Sequence, residues 1–283
     1  MSGAGTLRAL ASNRDIQLSY ALEPALNEDQ SKFPIAKESS AKLPVSGEDQ
    51  QRFWNRWNAA RRVGNWKKSS ASTREANAAI DFVRGQGRTD LKILEVGCGS
   101  GWLCTELAAF GDVIGTDIAD QVIGKAAVEN PRIQFVAGDF LTLEFPGDQF
   151  DIVVILEVLA HVGDQAAFIE KIARVLRPGG HFFIATQNRV VLSRWSEVVP
   201  QAPGQIRNWL DAKTLKKMLA RHFEVCQLTS AVPVGDRGFL RVVNSHKVNK
   251  MLSLLFSQKS LDAFKERCML GHSLIAVARK AKM

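Results

Sequence analysis

Three glycines fall within five positions of Glu95-Val96-Gly97-Cys98-Gly99-Ser100-Gly101-Trp102. That density marks a backbone which something must approach closely. The run follows the apolar, strand-like LKILEV and precedes the helix-like GWLCTELAAFG, the place where open α/β sheets bind their ligands. A dinucleotide pyrophosphate, a nucleotide phosphate and a group without phosphate all compete for such a loop. The spacing weighs against the first two: the fingerprint G-x-G-x-x-G would need glycine where Trp102 stands, and there is no Walker lysine followed by Ser or Thr. Further along, LEVLAHVGD sets Glu157 and His161 four apart. On a helix they would share one face, and the imidazole, titrating near neutrality, is the better candidate for a base.

The elements that must position these groups alternate along the chain. LKILEV, DVIGTDI, IQFVAGDF, FDIVVILEV and HFFIATQN read as strands. Between them GWLCTELAAFG, ADQVIGKAAVEN and DQAAFIEKIARVLRPGG read as helices, the last ended by Pro178 and two glycines. Continuous apolar strands alternating with helices predict a parallel sheet covered on both faces. LDAKTLKKMLARH, FEVCQLTSAVPV and HSLIAVARK add a helix and two strands. Ahead of the sheet, Phe53, Trp54 and Trp57 stand at helical spacing, and Ser72 can cap a second helix running towards Gly85. Residues 1–50 hold no lasting period and predict an irregular arm, so the main domain spans 51–283.

Composition narrows the partners. The net charge of +8 lies entirely in the last third: residues 201–283 carry 15 Lys and Arg against 5 Asp and Glu, while 1–200 carry 22 against 24. Such a region suits an anionic compound, an acidic membrane surface contacted peripherally, or simply solvent. Cys98, Cys104, Cys226 and Cys268 are scattered without a C-x-x-C pair, so neither a zinc site nor a disulfide framework is expected. The N-terminal residues lack a sustained apolar stretch, and the apolar run from Ile152 is interrupted by Glu157; the expected location is the cytoplasm.

The quoted motifs resemble the class I S-adenosylmethionine-dependent methyltransferases, nearest to the ubiquinone-biosynthesis O-methyltransferase group, over roughly residues 75–190. The family's acidic-x-G-x-G-x-G motif is matched from Glu95 to Gly101, and LRPGG matches its late turn. The resemblance implies a Rossmann-like, doubly wound, seven-stranded and mostly parallel sheet, with added helical elements at the N-terminus and in a late insertion. It implies that Glu95, Gly97, Cys98, Gly99, Gly101 and Trp102 surround the methionine end of S-adenosyl-L-methionine. Asp117, with Ile118 beside it, would accept the ribose hydroxyls, Asp139 and Phe140 would meet the adenine, and Leu156 would lie against the cofactor. Arg74 would stand near the cofactor carboxylate, while His161 and Glu157 would face the reacting methyl group. No metal is expected, because the group's E-x-x-E-H pattern for a divalent ion has Ala160 in place of its second glutamate.

The function so implied is methyl transfer to a small-molecule acceptor, first at a hydroxyl oxygen of an apolar, ring-bearing or lipid-linked compound, with carbon and nitrogen left open as the methylated atom and S-adenosyl-L-homocysteine as product. Acceptor walls are expected from 51–74, 187–209 and an insertion at 236–270, around a cofactor half at about 75–190. Two alternatives stay open. An RNA or DNA methyltransferase would use the basic excess, although the chain shows no N/D-P-P-Y/F motif and no appended RNA-binding module. A non-catalytic protein that binds S-adenosylmethionine would show the same loop. A nicotinamide dehydrogenase ranks below these, and the oligomeric state is not addressed by the sequence.

Overall fold

The computed structural model describes residues 45–63, 70–196, 200–233 and 257–282, with isolated positions at 198, 238, 241 and 245. The arm expected over 1–50 therefore lies outside the described residues up to position 44, as does most of the insertion expected at 236–270.

The chain opens with α1 (Gly47–Val63) and α2 (Ser70–Arg84). Then follow β1 (Leu91–Val96), α3 (Trp102–Leu107), β2 (Gly111–Asp117), α4 (Asp120–Glu129), β3 (Gln134–Ala137), β4 (Phe150–Leu156), α5 (Gln165–Val175) and β5 (Leu176–Gln187). The remainder is α6 (Arg189–Trp195), α7 (Ala212–Leu219), β6 (Phe223–Pro233), α8 (Gln258–Arg267) and β7 (Gly271–Lys280). All strands join one seven-stranded sheet in the order β3-β2-β1-β4-β5-β7-β6. Pairing is parallel from β3 to β5, and β7 runs antiparallel to both β5 and β6. The expected doubly wound, mostly parallel sheet is thus present.

Successive side chains of a strand point to opposite faces, and here both faces are buried. Leu94, Val153, Ile155, Phe182 and Ile184 meet α5 and α7 through Phe168, Ile172 and Leu215. Ile93, Ile152, Val154 and Phe183 meet α2 and α3 through Ala79, Val83, Leu103 and Leu107. This double burial is why LKILEV and FDIVVIL are apolar throughout and not alternating.

Three element boundaries differ from expectation, each for a local reason. Helix α1 starts at Gly47, not at Gln51, because Ser46 Oγ accepts the Asp49 N–H at 3.1 Å and donates back to its carboxylate at 2.7 Å, a reciprocal cap. Helix α2 starts at Ser70, so Ser72 falls within its first turn. Helix α5 ends at Val175, ahead of Pro178, and Arg177-Pro178-Gly179-Gly180 forms an irregularity inside β5. There the pairing jumps from Leu176↔Phe150 to His181↔Ile152. Proline disfavours helix in the residue before it, so the turn cannot continue to Arg177.

At the start of β4 one carboxylate ties three segments. Asp151 accepts the Lys92 N–H at 2.9 Å and pairs with Arg88 at 2.7 Å and with Arg177. Among the described residues no helix is long and apolar enough to cross a membrane. Removing Asp151 leaves the Lys92 amide and the Arg177 guanidinium without that acceptor, while Arg88 keeps only Asp90. Asp151→Ala should lower unfolding free energy by about 2–4 kcal/mol in urea titrations, while ligand affinity at the far end of the strands stays as it was.

Candidate active site

A cavity of about 830 Å³ opens at the carboxyl ends of β1, β2, β4 and β5, with α1 and α2 forming its outer wall. Strands β1 and β4 are neighbours whose chains continue to opposite sides of the sheet, the crevice where such sheets bind ligands. Its lining includes Glu95, Gly97, Cys98, Gly99, Trp102, Asp117, Ile118, Asp139, Phe140, Leu156, Glu157 and His161. The sequence-predicted residues are thereby brought together, except Arg74 and Gly101, which do not line it.

The glycine loop is held from below by β2. The Gly97 and Cys98 amides both donate to the Thr116 carbonyl, at 2.7 and 3.0 Å. Asp117 uses one oxygen for the Gly99 amide and the other for the Ala119 amide, both at 2.8 Å. Burial pushes its carboxyl above the usual range, and these two backbone bonds oppose that rise. The glycines have different tasks. At Gly97 a Cβ would stand 2.2 Å from Val158 Cγ2, so the missing side chain admits the segment after β4. At Gly99 a Cβ would meet nothing nearer than Asn58 Oδ1 at 3.9 Å, so the backbone there faces open space, in a left-handed conformation at φ +54°. Gly101 has its open side against the Phe135 ring and opens α3; it serves packing.

Glu95 is 4 % exposed and accepts the Cys104 thiol at 2.9 Å. Burial, with the Asp117 charge nearby, pushes its carboxyl up to about 8, so it holds a proton at neutral pH. Phe140 is mostly core, its ring 5.1 Å from Phe168. Arg74 turns away to Glu266 on α8, with bonds of 2.9 and 2.6 Å, and is 54 % exposed; its place on the outer face of α2 keeps it from the cavity.

The helix expected through Glu157 and His161 does not form. The Glu157 amide still belongs to the sheet, donating to the Ala185 carbonyl at 2.8 Å. Its backbone is left-handed at φ +61°, a strain of about 1–2 kcal/mol for a side chain with a Cβ. A single 3₁₀ turn, Leu159–His161, follows. The two groups reach the cavity by separate routes and share no helical face.

His161 Nδ1 lies 2.7 Å from the Ile206 carbonyl. A carbonyl only accepts, so Nδ1 carries the hydrogen and Nε2 the lone pair. Nε2 is 3.5 Å from Gln187 Nε2, and the Trp54 ring stacks edge-on at 4.8 Å. Burial pulls the imidazole down to about 4, so it is neutral at physiological pH. Trp54 and Trp57 both line the cavity, their rings 5.4 Å apart.

Asn58, Ser72, Gln187 and Gln205 of the lining fall in the stretches 51–74 and 187–209 expected as acceptor walls, whereas Glu75 was not singled out from sequence. Glu75 had a readable signal. It interrupts the apolar stripe Ala71, Ala79 and Val83 of α2 and is itself only 1 % exposed. Across the lining, seven carboxyl side chains stand with no Lys or Arg among the described residues. No three His, Cys, Asp or Glu side chains among the described residues converge as a metal set.

A family model described as a methyltransferase domain matches residues 94–184. The chain is 39 % identical over 155 residues to a ubiquinone biosynthesis O-methyltransferase of Sinorhizobium medicae, covering 52 % of this chain and 62 % of that protein. It therefore spans about three fifths of that relative's length. A protein of the same description from Idiomarina loihiensis is 32 % identical over 179 residues, covering 60 % of this chain and 71 % of the relative. Among solved structures, the N-methyltransferase NodS of Bradyrhizobium japonicum in complex with S-adenosyl-L-homocysteine superposes with a TM-score of 0.57 at 18 % identity, over 82 % of this chain and 98 % of that one. At that identity the likeness is one of fold.

Two substitutions test the loop. Asp117→Asn sets an NH2 group against a backbone amide and should weaken S-adenosyl-L-homocysteine binding about 10- to 100-fold by calorimetry. For Glu95 the sign follows from proton counting. The native carboxyl keeps its proton to about pH 8, whereas the unfolded chain releases it near 4.5. This group therefore makes stability fall as pH rises through that window. Glu95→Gln should remove that part of the slope in thermal melts taken between pH 5 and 8.

Proposed function

The chain belongs to the S-adenosylmethionine-dependent methyltransferases, and from that premise we propose that it transfers a methyl group to a hydroxyl oxygen of a small, apolar or ring-bearing acceptor. The observation that carries this reading is the single cavity in which the glycine loop, Asp117 and Asp139 share space with Trp54, Trp57 and His161.

The donor's fit rests on the lining itself. S-adenosylmethionine supplies an electrophilic methyl group on a cationic sulfonium. The carboxyls of the lining other than the protonated Glu95, with no Lys or Arg among the described lining residues, suit such a cation. The open backbone at Gly99 leaves room for the methionine portion, and the buried Thr116 Oγ1, which has no hydrogen-bond partner, borders the same space. Asp117 retains lone pairs for ribose hydroxyls beyond those used by the loop, and Asp139 stands at the adenine end.

The acceptor half is bounded by α1 and by the turn after β4. Trp54 and Trp57 offer ring faces and edges to an apolar or aromatic body. His161 Nε2 accepts a hydrogen bond from the acceptor hydroxyl and aligns it, a contribution that orientation can make large. Lys and Arg are missing from the described lining, which favours this reading over nucleic acid, whose phosphates would need cations at the mouth. The related proteins named for ubiquinone biosynthesis favour oxygen as the methylated atom.

Incubation with isotopically labelled S-adenosylmethionine and fractionated metabolites, followed by mass identification of the labelled product, tests the reading directly. Label in a small molecule supports it; label only in nucleic acid, or none in any fraction, overturns it. His161→Ala should lower kcat about 100-fold with S-adenosyl-L-homocysteine affinity changed less than 3-fold; equal losses in both would give His161 a purely architectural part.

A further inference from the structure

A buried pair of carboxyl groups lies in the cavity wall apart from the glycine loop. Glu75 comes from α2 and Glu157 from the left-handed turn after β4. Their side chains lie within hydrogen-bonding reach of each other and both line the cavity. Glu75 Oε1 accepts from Ser273 Oγ on β7. Since the Ser273 hydrogen is committed there, its oxygen accepts in turn from His272 Nδ1, 3.0 Å away. Glu75 Oε2 is fully buried and receives no hydrogen bond. Two ionised carboxylates could not rest side by side in this setting, whereas a proton held between them supplies the donor that Oε2 lacks.

We propose that Glu75 and Glu157 share one proton, that Glu157 takes the proton of the acceptor hydroxyl during methyl transfer, and that Glu75 is the positioning residue which sets its readiness to do so. This rests on the methyl-transfer reading above. In the step, the acceptor O–H turns from His161 Nε2 to the carboxylate of the pair, its bond breaks and the proton passes to that carboxylate. The oxygen forms a bond to the methyl carbon, and the carbon–sulfur bond breaks with its electrons left on a neutral thioether. The pair ends doubly protonated and returns one proton to solvent when the products leave.

Geometry and charge agree on this division. His161, neutral and pulled down to about 4 by burial, aligns a hydroxyl better than it deprotonates one. Glu75 is raised well above the ordinary range, first by burial and next by Glu157, against the lowering effect of Ser273. The titratable groups about the pair are few. On β7 His272 acts through Ser273, on β1 Glu95 is occupied by Cys104 of α3, and His161 follows in the turn after β4. Of the two cations of the same helix, Arg74 is directed to Glu266 and Arg84 to Asp81. The strained backbone at Glu157 fits a residue held for its side chain's direction.

Infrared difference spectra of the full chain saturated with S-adenosyl-L-homocysteine test the pair without turnover. Wild type should show, besides Glu95, a protonated carboxyl at pH 7 that disappears in Glu75→Gln. In Glu157→Gln the band of Glu75 should remain but titrate about one unit lower. In Ser273→Ala it should titrate higher, which keeps the test decisive if Glu75→Gln does not fold. Bands that titrate alike in wild type, Glu157→Gln and Ser273→Ala would overturn the shared proton. With the labelled acceptor in hand, Glu75→Gln should move the acidic limb of the kcat profile down by about one pH unit, and an unmoved limb would overturn the role in proton transfer. Opposite infrared shifts together with no methyl transfer to any fraction would leave the pair standing and refute the methyl-transfer reading instead.

Discussion

The architecture of the site depends on a missing atom. Val158 occupies the position that a Cβ on residue 97 would need, so the segment leaving β4 can come down onto the loop leaving β1. The turn after β4 rests on that contact. Glu157 must turn left-handed to place Val158 there, and the 3₁₀ turn after it delivers His161 beneath Trp54. A conventional helix start after β4 would have carried both groups elsewhere. The glycine motif is therefore as much a joint between two strand ends as a cradle for a ligand.

Charge is sorted in space and not only along the chain. A protein of net charge +8 concentrates carboxyl groups around its cavity and directs two of the nearby arginines outwards, Arg74 to Glu266 and Arg189 to Asp211, while Arg207 bonds Gln205 of the lining. Inside, protonation relieves the crowding. Glu95 keeps its proton to about pH 8, Glu75 is raised further by its neighbour, and the two histidines at the strand ends are held neutral. A cation entering such a site meets the carboxyl groups of the described lining.

The sheet, and the gathering of most expected site residues at its strand ends, were legible because their signals are local. Strand periodicity, the spacing of Gly97, Gly99 and Gly101, and carboxylates at successive strand ends each depend on a few neighbouring residues, and the sheet order places them together. The misplaced features depend on distant partners. Arg74 looked like a cofactor ligand until α8 offered Glu266, 192 positions away. Glu157 and His161 looked like helix neighbours because four-residue spacing is the stronger local rule, yet the sheet retained the Glu157 amide through Ala185. Glu75 was visible only as a flaw in an apolar stripe, and its partners Glu157 and Ser273 could not be read from α2 alone.

The antiparallel strand β7 lies between β5 and β6 and brings Ser273 to Glu75 across 198 positions of chain. The loop contacts of Asp117, in comparison, reach no more than 18 positions. Closing a long stretch of chain is slower than closing a short one. The Asp117 contacts therefore need only neighbouring chain, whereas the contact of Glu75 with Ser273 needs the completed sheet. The loop that Asp117 holds thus rests on local order, and the serine contact of the proposed carboxyl pair on long-range order.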